Sequence, residues 1–273
     1  MYGNYQKETL DHLKEVELMV LKDFIEICDE NNLTYYLIYG TNIGAVRHEG
    51  FIPWDDDIDV IMPRKDYQKF LKIMEENPID KYEILDINYQ DDYFFMFGRL
   101  SLKDTSLEEF WNKQVDFNLG IHIDIFVLDK LPKNKIKRFF FRKKCFILDK
   151  LLTMSAIKLE GYPKPIMAIS NAMHSILNAL NLNTPYFQKK SEKLFRKYEN
   201  EDSDYVTDLA LEGVPVFKKS DFEPPQKVKF ESIEANIPNT DKSLKVIYGD
   251  YMEIPPEEER VNHNLTNIDF GEY

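Results

Sequence analysis

Asp57 and Asp59, separated only by Ile58 and followed by Val60, Ile61 and Met62, constrain this chain more than any other feature. In an extended strand residues i and i+2 point the same way, so the two acids share one face while Ile58 and Val60 pack on the other. Adjacent carboxylates repel, and burying them unpaired is costly; a divalent cation removes that cost. The acids lie in the stretch YYLIYGTNIGAVRHEGFIPWDDDIDVIMP, Tyr35 to Pro63, which opens on an apolar run that stops at Gly40-Thr41. A glycine turn between a strand and a short helix can present backbone N–H groups to phosphate; the plainer reading is an ordinary connecting turn. Together, turn and acid pair are the parts of a metal-dependent phosphate-chemistry site.

The rest of the chain reads as the scaffold for such a site. Leu13, Val16, Val20, Phe24 and Ile27 recur at helical spacing, predicting a helix over 7–30. Strands are expected at 33–39 and 57–62, with a short helix 42–49 between them, capped by Thr41 and closed by Gly50. A helix ending near Pro78, a strand pair at 82–87 and 93–100, a helix at 107–115 and the strand IHIDIFVL at 121–128 follow. This order predicts an α/β (α+β) fold, a mixed sheet flanked by helices, with an additional helical region. Three parts are expected: a catalytic core over 1–131, a helical acceptor- or membrane-facing region over 132–200, and a C-terminal segment over 201–273 packing back on the core.

Composition narrows the class. A chain of 273 residues can bury a real core, and a net charge of −13 argues against non-specific nucleic-acid binding. Cys28 and Cys145 match no metal or redox spacing and are expected to be reduced thiols. Charged residues interrupt Met1 to Phe24, so no signal-peptide core is expected there, and no apolar window of about 18 residues exists to span a membrane. The expected setting is cytoplasmic, or peripheral at the inner face of the membrane. Lys133 to Lys150 holds eight basic residues against Asp149 alone, a local charge of +7, interleaved with Phe139, Phe140, Phe141 and Phe146. Such a helix, 133–152, suits peripheral contact with an anionic bilayer, or else packs on the domain with a solvated basic face.

Asp124 is the acid in a strand otherwise built mainly of Ile, Phe, Val and Leu, and it supplies a third carboxylate to Asp57 and Asp59. An EF-hand beginning at Asp55 fails, because Val60 takes the glycine position and Asp66 the final glutamate position. Arg47 and His48 lie between turn and acids, where a guanidinium could neutralise a diphosphate. Arg64 and Arg99 are further candidates, Arg99 from a more apolar run. Trp54 suits stacking on a base or choline-like head, or equally a plug in the core. His122 shares a face with Asp124, and His263 lies in the C-terminal ERVNHN.

The segments YGTNIGAVRHEGFIPWDDDIDVIMPRKDY, GIHIDIFVLD and YGDYMEIPPEEER closely resemble the LicD family of phosphotransferases, which includes fukutin-related proteins and is placed in the nucleotidyltransferase superfamily. The resemblance implies a nucleotidyltransferase-like core. It implies Mg²⁺-dependent transfer (Mn²⁺ being the substitute) of a phospho-alcohol, above all phosphocholine from CDP-choline. The acceptor would be a sugar hydroxyl of a cell-surface glycan, such as lipopolysaccharide or teichoic acid, or of its lipid-linked precursor. Gly40 and Thr41 match the family's turn, Asp57 and Asp59 its metal pair, and Asp124 its third acid; Asp55 and Asp56 are secondary on strand geometry. The C-terminal motif would close over the donor and bring His263 near it. CDP-ribitol or CDP-glycerol as donor, and a nucleotidyltransferase using NTP, are the competing readings.

Overall fold

The computed structural model describes residues 6–109, 111–260, 262 and 267–273. Helix α1, Lys7–Glu30, buries Leu13, Val16, Val20, Phe24 and Ile27, the positions that set its periodicity. Asn32, at φ 51°, ends the turn after it, and Leu33 N–H donates back to Cys28 O. Strand β1 is only Tyr36–Leu37, and helix α2 begins at once, running Tyr39–His48. The chain then crosses an irregular loop to β2, Asp59–Pro63, and helix α3, Arg64–Glu76. After these come β3, Tyr82–Leu85; β4, Gly98–Leu102; β5, Ser106–Glu108; and β6, His122–Lys130. Three helices follow: α4, Lys135–Ala156; α5, Lys164–Ala179; and α6, Thr184–Phe195. The C-terminal part holds β7, Tyr205–Asp208; β8, Phe217–Lys218; the hairpin β9, Gln226–Phe230, with β10, Ile233–Ile237; helix α7, Lys242–Tyr248; and β11, Asn267–Asp269.

Seven of these strands form one mixed sheet, in the order β1-β2-β6-β4-β3, with β7 also on β6 and β8 on β7. The α/β class expected from the sequence is the class found. Strand β6 is its axis. It runs parallel to β2 on one side and pairs antiparallel first with β4 and then with β7 on the other. Alternation divides the sheet. Val60, Met62, Ile123, Ile125 and Val127 join α1 and α3 in the main core, while Ile61, Phe126 and Leu128 build a second cluster with Tyr36, Val206 and Phe222 on the opposite face. The site lies on that second face. Cys28 and Cys145 are both buried free thiols.

Several local expectations change. The strands expected at 33–39 and 57–62 are Tyr36–Leu37 and Asp59–Pro63, which leaves Asp57 in the preceding loop. The helix expected over 107–115 is replaced by β5, paired with β11, and a single 3-10 turn at Asn112–Gln114. The Asn112 side chain accepts from Glu109 N–H (2.9 Å) and donates to Leu107 O (2.8 Å), competing with a helical ladder. The strand expected over 93–100 begins only at Gly98, because Phe95 and Phe97 turn onto the Arg99 guanidinium. Thr41 lies inside α2 rather than capping it, and its hydroxyl accepts from Asp59 N–H at 2.8 Å. The left-handed residue closing α2 is Glu49, at φ 54°, rather than Gly50.

Gly44 in α2 faces the loop that leads to the acids; a Cβ there would meet Gly50 O and, at 3.1 Å, Ile52 N. Both neighbours are backbone and cannot rotate aside. Gly44→Ala is expected to lower the unfolding free energy by about 1–3 kcal/mol, read from urea denaturation, despite the better helix propensity of alanine.

Candidate active site

The register of the sheet builds the centre of the site. Asp59 on β2 is the Cα partner of Asp124 on β6, and Asp124 is in turn the partner of Arg99 on β4. Arg99, Asp124 and Asp59 therefore form one row across three strands, on one face. The Arg99 Nε donates to Asp124 Oδ1 at 2.7 Å, and His122 Nε2 lies 3.3 Å from the same oxygen. Arg99 is 5% exposed, its guanidinium stacked against Phe95 (4.4 Å), Phe97 (5.3 Å) and Trp111 (5.8 Å). Burial disfavours the Asp124 anion, but Arg99 and His122 outweigh it and hold the carboxyl well below the usual carboxylate range.

Asp59 is in the opposite condition. Burial first, then the charges of Asp57, Asp124 and Asp55, push its carboxyl well above the usual range. Asp57 itself stands in the loop before β2, where Asp55, Asp56 and Asp57 bring ligand oxygens within 4.8 Å of one another. That loop is tied down at several points: Lys14 Nζ donates to Ile52 O (2.9 Å) and Pro53 O (3.0 Å), and Asp55 N–H to Ile52 O (3.0 Å). Gly40 explains itself here. A Cβ on it would lie 2.8 Å from Asp55 Oδ2, so only glycine lets that carboxylate approach the turn.

A cavity of about 1000 Å³ opens over this row, with Gly40, Asp55, Asp57, Asp59, Arg99 and Asp124 in its wall. Its apolar side is Phe94, Phe95, Met96, Phe97 and Phe126, and Tyr39 and Tyr248 add two phenols. Burial, then Asp59, Asp55 and Asp57, push the Tyr248 phenol up, so it stays protonated and able to donate. Tyr39 is held at φ 49°, a left-handed conformation that is costly for a tyrosine, and its hydroxyl donates to Asp208 Oδ2 at 2.8 Å. Oxygen-only donors, several of them crowded and mutually repelling, match what a hard divalent cation requires; Asp57, Asp59 and Asp124 could hold Mg²⁺, with Asp55 beside them.

The remaining candidates lie elsewhere. Arg47 Nη1 donates to Tyr251 O (2.6 Å) and Glu253 O (3.0 Å), and its Nε to His48 Nε2 (2.9 Å), so Arg47 binds the segment after α7, His48 braces Arg47, and neither lines the cavity. Arg64 forms a two-point pair with Asp129, at 2.8 and 2.7 Å, on the far end of β6. Trp54 packs with Ile43, Ile52 and Leu244 under the Arg260 guanidinium, 4.8 Å from its ring. His122 touches Asp124 without lining the cavity, and His263 falls outside the described residues.

Sequence reasoning set Asp55 aside as secondary, because it applied strand alternation to a segment that is loop until Asp59. It missed Glu17, on the buried side of α1. Burial, then Asp57, Asp56 and Asp55, push the Glu17 carboxyl well above its usual range. An acid at helical spacing among Leu13, Val16 and Val20 was the available signal. Tyr248 opens the C-terminal motif expected to close over the site, and it does line the cavity, whereas loop 209–215 carries no sequence signal and is brought there by the fold alone.

Residues 32–165 match the family model described as LicD/FKTN/FKRP, nucleotidyltransferase domain. Across 95% of this chain and 97% of the relative, the sequence is 29% identical to the lipopolysaccharide cholinephosphotransferase LicD of Haemophilus influenzae. It is also 32% identical to the uncharacterized protein RP689 of Rickettsia prowazekii, over 54% of this chain and 50% of that protein.

The Arg99–Asp124 pair sets a pH test. A lowered folded-state value means that Asp124 contributes stability above its ordinary 3.8 and loses it as pH falls through the lowered value. Arg99→Met leaves a buried carboxylate without its cation and is expected to cost about 3–5 kcal/mol. In that variant the folded state favours protonated Asp124, so the sign reverses. The loss measured by denaturant unfolding should be larger at pH 8 than at pH 5.

Proposed function

We propose, for a chain that belongs to the LicD family, a phosphotransferase activity that moves phosphocholine from a CDP-linked donor to a sugar hydroxyl of a cell-surface glycan or its lipid-linked precursor. The observation that carries this reading is the pairing, in one cavity, of the Asp57, Asp59 and Asp124 carboxylates with the aromatic wall of Phe94, Phe95, Phe97 and Phe126. Carboxylates of this kind suit a cation-neutralised diphosphate, and aromatic faces suit a quaternary ammonium. Ribitol and glycerol, being polyhydroxylated, would leave such a wall without matching hydrogen-bond donors, so choline is the alcohol favoured.

The reaction is an in-line displacement at the phosphorus that bears choline. The bond to the CMP oxygen breaks, the bond to the acceptor oxygen forms, and the proton of the acceptor hydroxyl passes to water or to the phosphate of the departing CMP. Mg²⁺, or Mn²⁺, held by Asp57 and Asp59 with Asp124 as third ligand, would supply charge neutralisation of the diphosphate and of the departing CMP. Arg99 keeps Asp124 ionised and aimed, through the 2.7 Å bond. A carboxylate so firmly held as an anion is suited to be a ligand, which tells against the role of proton acceptor that its position also permits. The Thr41 hydroxyl fixes the start of β2, and with it Asp59, against α2. Lys150 lines the cavity from α4, paired at 3.3 Å with Asp149.

Incubation with CDP-choline, CDP-ribitol, CDP-glycerol or NTPs, each with Mg²⁺, tests the reading by following CMP and pyrophosphate. Turnover of CDP-choline with release of CMP is expected, and pyrophosphate release from an NTP would instead identify a nucleotidyltransferase. Asp57→Asn and Asp59→Asn should each lower turnover at least about a hundredfold while leaving the circular dichroism spectrum intact. Near-normal turnover in either variant would sink the scheme.

A further inference from the structure

Helix α5 is amphipathic in the reverse sense. Three of its polar side chains point into the protein, with Ser175 and Asn178 left exposed: Asn171 Oδ1 accepts from Leu159 N–H at 2.9 Å, His174 Nδ1 lies 3.0 Å from Met154 O, and Ser170 is buried. Its outward positions are apolar: Ile166, Ile169 (68% exposed), Ile176 and Leu180 (63%), the last just past its end. Lys164 is its sole residue with a fixed charge. Four large aliphatic side chains at helical spacing, left in water while histidine and asparagine are turned inward, give up several kcal/mol of hydrophobic stabilisation unless something apolar covers them.

The neighbouring helix α4 says what the cover is. It exposes Ile136 (69%) and Phe140 (60%) among Lys135, Lys137, Lys143 and Lys144. In a protein of net charge −13, a basic strip beside exposed apolar residues complements an anionic surface with an apolar interior. A second copy of this chain would bring its own basic strip and a negative surface elsewhere, so it matches less well. We propose that α5 and α4 dock on an anionic lipid bilayer, the α5 aliphatic face entering the headgroup–acyl boundary and the α4 lysines meeting the lipid phosphates.

The docking face adjoins the catalytic cavity. A smaller cavity of about 230 Å³ is lined by Phe139, Arg142, Lys143 and Phe146 of α4, and it shares Asp149 and residues 210–213 with the large one. A bilayer against α4 would therefore lie at the mouth of the path to Asp124. The docking itself does not depend on which group is transferred.

Co-sedimentation of the full chain with vesicles tests it, using phosphatidylcholine alone against phosphatidylcholine mixed with phosphatidylglycerol. Binding to the mixed vesicles, weakened by salt, is expected. Ile169→Asp with Ile176→Asp should lower the bound fraction at least about tenfold, and Lys137→Glu with Lys144→Glu should do the same. The isoleucine variant should still release CMP from CDP-choline in solution, because neither residue lines the cavity; if the wild type shows no such turnover, the functional reading fails while vesicle binding is judged separately. Failure of the wild type to bind either vesicle overturns the proposal, as does equal binding to both. A dimer by light scattering that the isoleucine variant dissociates, with no vesicle binding, would assign the face to self-association.

Discussion

The parallel register between β2 and β6 is the constraint on which the site depends. It sets Asp59 beside Asp124, and the antiparallel register with β4 sets Arg99 on the other flank of the same acid. A slip of one residue in either pairing would send a carboxylate or the guanidinium into the core against α1. That slip is prevented by the opposite face. Val60, Ile123, Ile125 and Val127 are fully or almost fully buried there, and exchanging them with charged neighbours would cost far more than any single ion pair returns. The hydrophobic pattern of one face therefore positions the chemistry of the other.

Charge within the row is unevenly compensated, and the imbalance has a use. Arg99 neutralises Asp124 at 2.7 Å, yet Asp59, one strand away, keeps an elevated proton affinity because burial and three carboxylates act on it together. An isolated buried ion pair contributes little net stability once desolvation is counted. Retaining Arg99 inside an aromatic enclosure is therefore better understood as fixing one acid of the row in its ionised form and in place. Glu17 fits the same account. Burial and the acidic loop raise the proton affinity of its carboxyl in the same way.

Much of this was legible from sequence, and what was not has physical causes. The α1 helix was predicted with the bounds found, because a long periodic apolar stripe is a strong local signal. The alignment of Asp59 with Asp124 on one face was legible because acids inside apolar runs violate the pattern around them. Arg64 gave no hint of Asp129, nor Arg47 of Tyr251 and Glu253, since partners 65 and more than 200 residues away follow from topology alone. The same blindness applies to aromatic residues. Phe95 and Phe97 read as strand residues, whereas their attraction to a buried guanidinium draws them off the sheet, and Phe94 follows by packing on Phe95.

Tyr39 joins the two halves of the cavity. Its left-handed backbone, at φ 49°, costs of order 1 kcal/mol or more and persists only where its surroundings over-determine it. Those surroundings are the Phe126 ring, edge-on at 5.2 Å, and the Asp208 carboxylate at 2.8 Å. Asp208 also accepts from Ala210 N–H at 2.7 Å, the first step into the loop that both cavities share. Val214, at the far end of that loop, accepts from Arg142 Nη2 of α4. One chain of contacts thus runs from the turn at Gly40, through Tyr39, Asp208 and loop 209–215, to the basic helix. A strained residue at the start of α2 is thereby fastened to α4, so the N-terminus of α2 and the basic helix are held in one fixed arrangement across the cavity.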